Sequence, residues 1–78
     1  MTTARDALND LKWNAQRLHE AVVTYVHRGA PGDERAVPGG EIVALRPSFF
    51  DLRDGASIPY HRVLRIALGG QVVWERAR

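Results

Sequence analysis

Val63-Leu64-Arg65-Ile66-Ala67-Leu68, then Gly69-Gly70, then Gln71-Val72-Val73-Trp74-Glu75, is the stretch that decides the fold. Two runs rich in β-branched and large apolar residues flank a glycine pair, the pattern of an antiparallel hairpin closed by a two-residue turn. That loop length predicts a register in which Leu68 faces Gln71, Ile66 faces Val73 and Arg65 faces Trp74. Leu64, Ile66 and Val73 are then expected on the core face. Arg65 is expected to stack on Trp74, worth about 0.5–1 kcal/mol if exposed.

Immediately before the hairpin stands Ile58-Pro59-Tyr60-His61-Arg62. Pro59 has no N–H and biases Ile58 toward extended backbone, so the chain is expected to be just entering the sheet. Neighbouring side chains in a regular strand point to opposite faces. A bend at this entry would let His61 and Arg62 reach one pocket.

Further out, Ala4, Ala7, Leu8 and Leu11 recur at helical spacing, and Thr3 with Asp6 makes a capping-box pattern. A short helix over roughly residues 3–13 is predicted, with Leu8 and Leu11 inward and Trp13 closing it as a core anchor. Residues 14–20 read as a loop, with room for a helical turn. Ala21 to Arg28 reads as a strand ended by Gly29-Ala30-Pro31-Gly32. Residues 33–40 read as polar and turn-rich, residues 41–46 as a strand broken by Pro47, and Phe49-Phe50 as the start of another. Arg53-Asp54-Gly55-Ala56 reads as a turn. The fold class expected is α+β: a short N-terminal helix packed on a bent antiparallel sheet or small barrel of about five strands.

At 78 residues the chain is expected to be one domain, 1–78, with a small core. It has no cysteine, so no disulfide or cysteine-held zinc can staple it, which fits a cytoplasmic setting. No apolar run approaches the roughly 20 residues that span a bilayer, so no membrane partner is expected. A net charge of +2 is too small for a broad nucleic-acid-binding field, but the excess is concentrated, with residues 58–78 carrying +3. Ten of the eleven basic residues are arginine, whose planar fork suits phosphate.

Two constellations could carry chemistry. In the first, Arg62 could give a phosphate two parallel hydrogen bonds, while His61 donates a proton or stacks on a base or sugar. The ordinary structural alternative has His61 bonding a backbone carbonyl and Arg62 paired with Asp51 or Asp54. The second, Tyr25-Val26-His27-Arg28-Gly29-Ala30-Pro31, repeats the grouping at another strand end, and Gly29 permits close backbone approach. Its alternative is a strand edge with solvated charges. His27 and His61 also suit acid–base cleavage of RNA, because imidazoles titrate near neutrality. His19 is expected at the surface. No glycine-rich phosphate loop, G-x-S-x-G, H-E-x-x-H or C-x-x-C occurs, so no cofactor and no metal site are expected.

The pieces Leu8-Asn9-Asp10-Leu11-Lys12-Trp13, Tyr25 to Asp33, Ile58-Pro59-Tyr60-His61-Arg62 and Gly70 to Arg76 stand in an order that resembles the RNA cyclic-group end recognition domain family. This is a small archaeal and bacterial family, also found fused to RNA-handling domains in eukaryotes. The resemblance covers nearly the whole chain. It implies recognition of RNA termini such as 2′,3′-cyclic phosphate ends, in RNA repair or processing. It assigns the ligand contacts to Arg28, His61 and Arg62, with His27, Tyr60 and Tyr25 beside them. The partners implied are an RNA 3′ end or cyclic phosphate group and a repair or processing enzyme acting in trans. A binding module is thus expected ahead of an enzyme. The alternatives are a small phosphodiesterase or ribonuclease using His27 and His61, and a protein-interaction module docking through the strand edge near Phe49.

Overall fold

The computed structural model describes residues 3–76. Its helix α1 (Ala4–Asn9) starts at the expected capping box: the Thr3 hydroxyl accepts from the Asp6 N–H, and the Asp6 carboxylate accepts from the Thr3 N–H. The helix then widens into a π turn over Asp10–Asn14, closed by Ala15 N–H on the Asp10 carbonyl. Ala4, Leu8 and Leu11 are buried as read, but Trp13 is 66% exposed and anchors nothing in the core. At ~100° per residue, Trp13 lies about half a turn around the helix from Ala4, on the face opposite the apolar one.

Seven strands follow, two more than expected: β1 (Ala21–Val26), β2 (Glu34–Pro38), β3 (Ile42–Leu45), β4 (Phe49–Leu52), β5 (Ser57–Pro59), β6 (Val63–Leu68) and β7 (Gln71–Glu75). They form two antiparallel sheets, ordered β2-β1-β6-β7 and β3-β4-β5, with no closed barrel. The fold is α+β, with α1 leaning on β3, β6 and β7. Alternation along β1 buries Ala21, Val23 and Tyr25, which meet Phe50, Leu52 and Ile58 of the smaller sheet and Leu8 and Leu11 of the helical segment in one core.

Two sequence expectations need correction. The polar stretch after Asp33 holds β2, an edge strand with only Val37 buried, so it lacks the apolar alternation that marks a strand. In the decisive hairpin, Gly69 and Gly70 form the turn with positive φ at both, and Leu68 faces Gln71 as read. A bulge between Ile66 and Ala67 then shifts the register, so Ile66 faces Trp74 and Arg65 faces Glu75. Trp74 therefore packs against the core while Val73 is half exposed. Arg65 pairs with Glu34 at 2.7 Å instead of stacking on Trp74, and the Arg76 guanidinium lies 5.7 Å from that ring's centre.

Candidate nucleic-acid interface

The meeting of the two His-Arg pairs follows from one strand pairing. β1 runs antiparallel to β6, with Val23 facing Ile66, Thr24 facing Arg65 and, past a bulge, Tyr25 facing Val63. Residues just beyond Tyr25 therefore lie beside residues just before Val63. His27, Arg28, His61 and Arg62 line one open cleft of about 640 Å³, with Val26 as the remaining wall. All four polar residues are exposed.

Each pair is presented by a fixed turn. Residues 27–33 close the β1–β2 hairpin: the His27 N–H donates to the Asp33 carbonyl at 2.9 Å, and the Asp33 N–H to the Ala30 carbonyl at 2.8 Å. The Asp33 carboxylate accepts from the Gly29 N–H. Gly29 has φ +93°, a left-handed conformation that glycine takes without a Cβ penalty. The His27 ring also meets the Tyr25 ring edge-on, with centres 6.3 Å apart.

On the other side, Tyr60–Arg62 is a single 3₁₀ turn between β5 and β6, the bend anticipated at the proline. Tyr60 points inward and His61 and Arg62 outward. The Tyr60 hydroxyl donates to the Arg46 carbonyl at 2.8 Å, and its ring packs on Phe50 at 5.7 Å. Burial raises the Tyr60 phenol above its ordinary value, so it remains a donor at neutral pH. Tyr25 and Tyr60 are 2% and 8% exposed, so both support the cleft from within the core and neither ring face is open to stack on a ligand.

The cleft is electrostatically one-sided. No carboxylate lines it, and neither Arg28 nor Arg62 makes a hydrogen bond or ion pair among the described residues. The acids that Arg62 might have paired with are engaged. Asp51 accepts from the Ser57 hydroxyl and from Arg46, which hold its carboxyl below its ordinary value, and Asp54 accepts from the Ala56 N–H. Uncompensated guanidiniums facing one concavity attract an anion. His19 lies on the surface near Glu20 and is not among the residues lining the cleft. Among the described residues no cluster of His, Cys, Asp or Glu could hold a metal ion, and no helix is long and apolar enough to cross a membrane.

Sequence reading passed over Arg76. Its Nε donates to the Val63 carbonyl at 2.9 Å and its Nη2 to the Tyr60 carbonyl at 3.0 Å, bracketing the turn that carries His61 and Arg62. Its partners lie 13 and 16 residues away, and no local pattern marks such a contact. Phe49 stands on β4, which is paired on both sides by β3 and β5, so the supposed strand edge there is the middle of a sheet.

A family model described as the MJ1316 RNA cyclic group end recognition domain matches residues 1–76. The chain belongs to this family. Among the chain's relatives is UPF0248 protein MK0350 of Methanopyrus kandleri, 41% identical over 59 residues, 76% of this chain and 78% of the relative. UPF0248 protein MmarC7_1289 of Methanococcus maripaludis is 40% identical over 75 residues, covering 92% of this chain and 96% of the relative. UPF0248 protein TK0315 of Thermococcus kodakarensis is 33% identical over 75 residues, covering 94% and 90%. These names state no activity. No solved structure matches the chain significantly.

Proposed function

We propose that this domain binds RNA 3′ ends bearing a 2′,3′-cyclic phosphate, using Arg28, His61 and Arg62 with His27 beside them, and that it serves RNA repair or processing alongside an enzyme that acts on the bound end. The observation that carries this reading is the convergence of two His-Arg pairs from separate turns on one acid-free cleft. A cyclic phosphate has one negative charge and two non-bridging oxygens, which a guanidinium fork can hold with two parallel hydrogen bonds. The imidazoles supply further donors. The family's description points to the same ligand class. Tyr25 and Tyr60 act in this reading by holding the two turns in place.

Charge alone favours an open terminal phosphate, which carries more negative charge than the cyclic one. Preference for the cyclic end is therefore the discriminating result. The test is fluorescence anisotropy with short RNAs that differ only in a cyclic phosphate, open phosphate or hydroxyl 3′ end, using wild type, Arg28→Ala and Arg62→Ala. A lost charge-assisted contact of about 1.5–3 kcal/mol predicts at least tenfold weaker binding in each variant. Equal affinity for all three ends would sink the proposal.

A second reading, cleavage or ring opening by His27 and His61, is favoured by one fact: both imidazoles line the same cleft. Mass spectrometry of the RNA after incubation separates the two. Intact cyclic ends mark a reader. Opened ends that persist in wild type and vanish in His27→Ala or His61→Ala mark a phosphodiesterase.

A further inference from the structure

We infer that the binding surface continues from the end-binding cleft over the His27-Arg28 ridge onto Arg35, which takes the phosphodiester next to the RNA terminus. The ligand is then a 3′-terminal segment of at least two nucleotides, held without regard to base. This rests on the RNA-end reading and extends it.

A second, more open hollow of about 620 Å³ lies across the hairpin loop from the cleft. Its wall includes the same His27 and Arg28, with Pro31, Glu34 and Arg35. The two hollows are thus adjacent and share the ridge between them. Arg35 is placed by register: it faces Tyr25 across the β1–β2 pair, so it shares the sheet face of Tyr25, and His27 lies two residues further along that face. His27, Arg28 and Arg35 thus border one hollow that shares its His27-Arg28 wall with the cleft.

Charge accounting leaves the Arg35 guanidinium available. It makes no hydrogen bond or ion pair among the described residues. The carboxylate beside it, Glu34, is held by Arg65 at 2.7 Å. On its other flank Arg35 borders a groove containing Glu41 and Asp54. Glu41 is paired with Arg53 at 3.3 Å, and the Asp54 carboxylate accepts from the Ala56 N–H at 2.9 Å. Each of these three acids already has a partner. No Phe, Tyr or Trp lines the hollow, and its one aromatic ring is the His27 imidazole on the shared ridge. An exposed cation beside a shallow, open surface suits a passing backbone phosphate.

The test compares adenosine 2′,3′-cyclic phosphate with the dinucleotide ApA ending in the same cyclic phosphate, by calorimetry on the whole chain. A third ligand is that dinucleotide with a methylphosphonate linkage, which removes the internal charge and keeps both bases. Wild type is expected to bind the dinucleotide about fivefold more tightly than the mononucleotide. Its salt dependence should be steeper by about 0.7 in log–log slope, one phosphate's worth. The increment should vanish with the neutral linkage. It should also vanish in Arg35→Gln, whose affinity for the mononucleotide should match wild type. Equal binding of mononucleotide and dinucleotide, or an increment that survives Arg35→Gln, overturns this inference and leaves end recognition standing. Failure of both ligands to bind overturns end recognition and this extension together.

Discussion

Gly39 has no special φ; its constraint is space. An added Cβ would sit 1.8 Å from the Leu18 carbonyl oxygen, because the turn Gly39–Glu41 packs directly on the turn Leu18–Glu20. Gly39→Ala is therefore expected to cost at least about 3 kcal/mol, since backbone rather than a flexible side-chain end must move. A urea midpoint matching wild type would refute the close approach. Trp13 makes the opposite case. Its ring is in solvent with the Lys12 ammonium 4.9 Å from its centre, so Trp13→Ala should cost under about 1 kcal/mol. Leu8→Ala, at a site of 0% exposure, should cost about 2–5 kcal/mol. Urea denaturation of the two variants checks the order. Residue size misleads at both positions: helical phase places Trp13 outside, and a distant carbonyl forbids a side chain at Gly39.

The turn Tyr60–Arg62 and the loop at residues 27–33 are held by different contacts. The loop is closed by its own residues: the strand end at Gly29-Ala30-Pro31-Gly32 was readable, whereas the closure through Asp33 was not. The turn is braced by Arg76, from beyond β7. Arg76→Ala removes two hydrogen bonds to carbonyls and should lower stability by about 1–3 kcal/mol. It should also speed amide exchange at His61 and Arg62 more than at the 27–33 loop. Hydrogen exchange monitored by NMR, without any RNA, checks this; uniform acceleration across both turns would show that Arg76 braces no particular element. Among the strands, β1, β6 and β7 were legible because each has a β-branched or apolar run bounded by turn residues. β2 and β5 were not: one is an edge strand of mainly polar and small residues, the other only three residues long. The bulge in the last hairpin left no mark in the local pattern, and it moved Trp74 to the place expected of Val73.

Across the molecule, several carboxylates at or near the surface are tuned to the folded state. Hydrogen bonds from Ser57 and Arg46 lower Asp51, those from Thr3 lower Asp6, and that from Arg17 lowers Glu20. A depressed folded-state pKa stabilises the fold above the unfolded value, and that contribution is lost as pH falls through the folded one. For these groups, whose ordinary values are 3.8 for aspartate and 4.5 for glutamate, stability should be level near neutrality and decline below about pH 4. Thermal melts from pH 7 to 2.5 test this, and Asp51→Asn should flatten the acid limb. A decline that is as steep in Asp51→Asn would show that other groups drive it. By itself the sequence determined the α+β class, the capped helix, the glycine turns and the two His-Arg groups, because each rests on spacing and chemistry between near neighbours. Only the tertiary structure decided that the groups share a cleft, that Tyr25 and Tyr60 lie beneath it and that no carboxylate neutralises it. Those outcomes depend on the pairing of β1 with β6, and that long-range register joins residues whose separation along the chain carries no periodic signal.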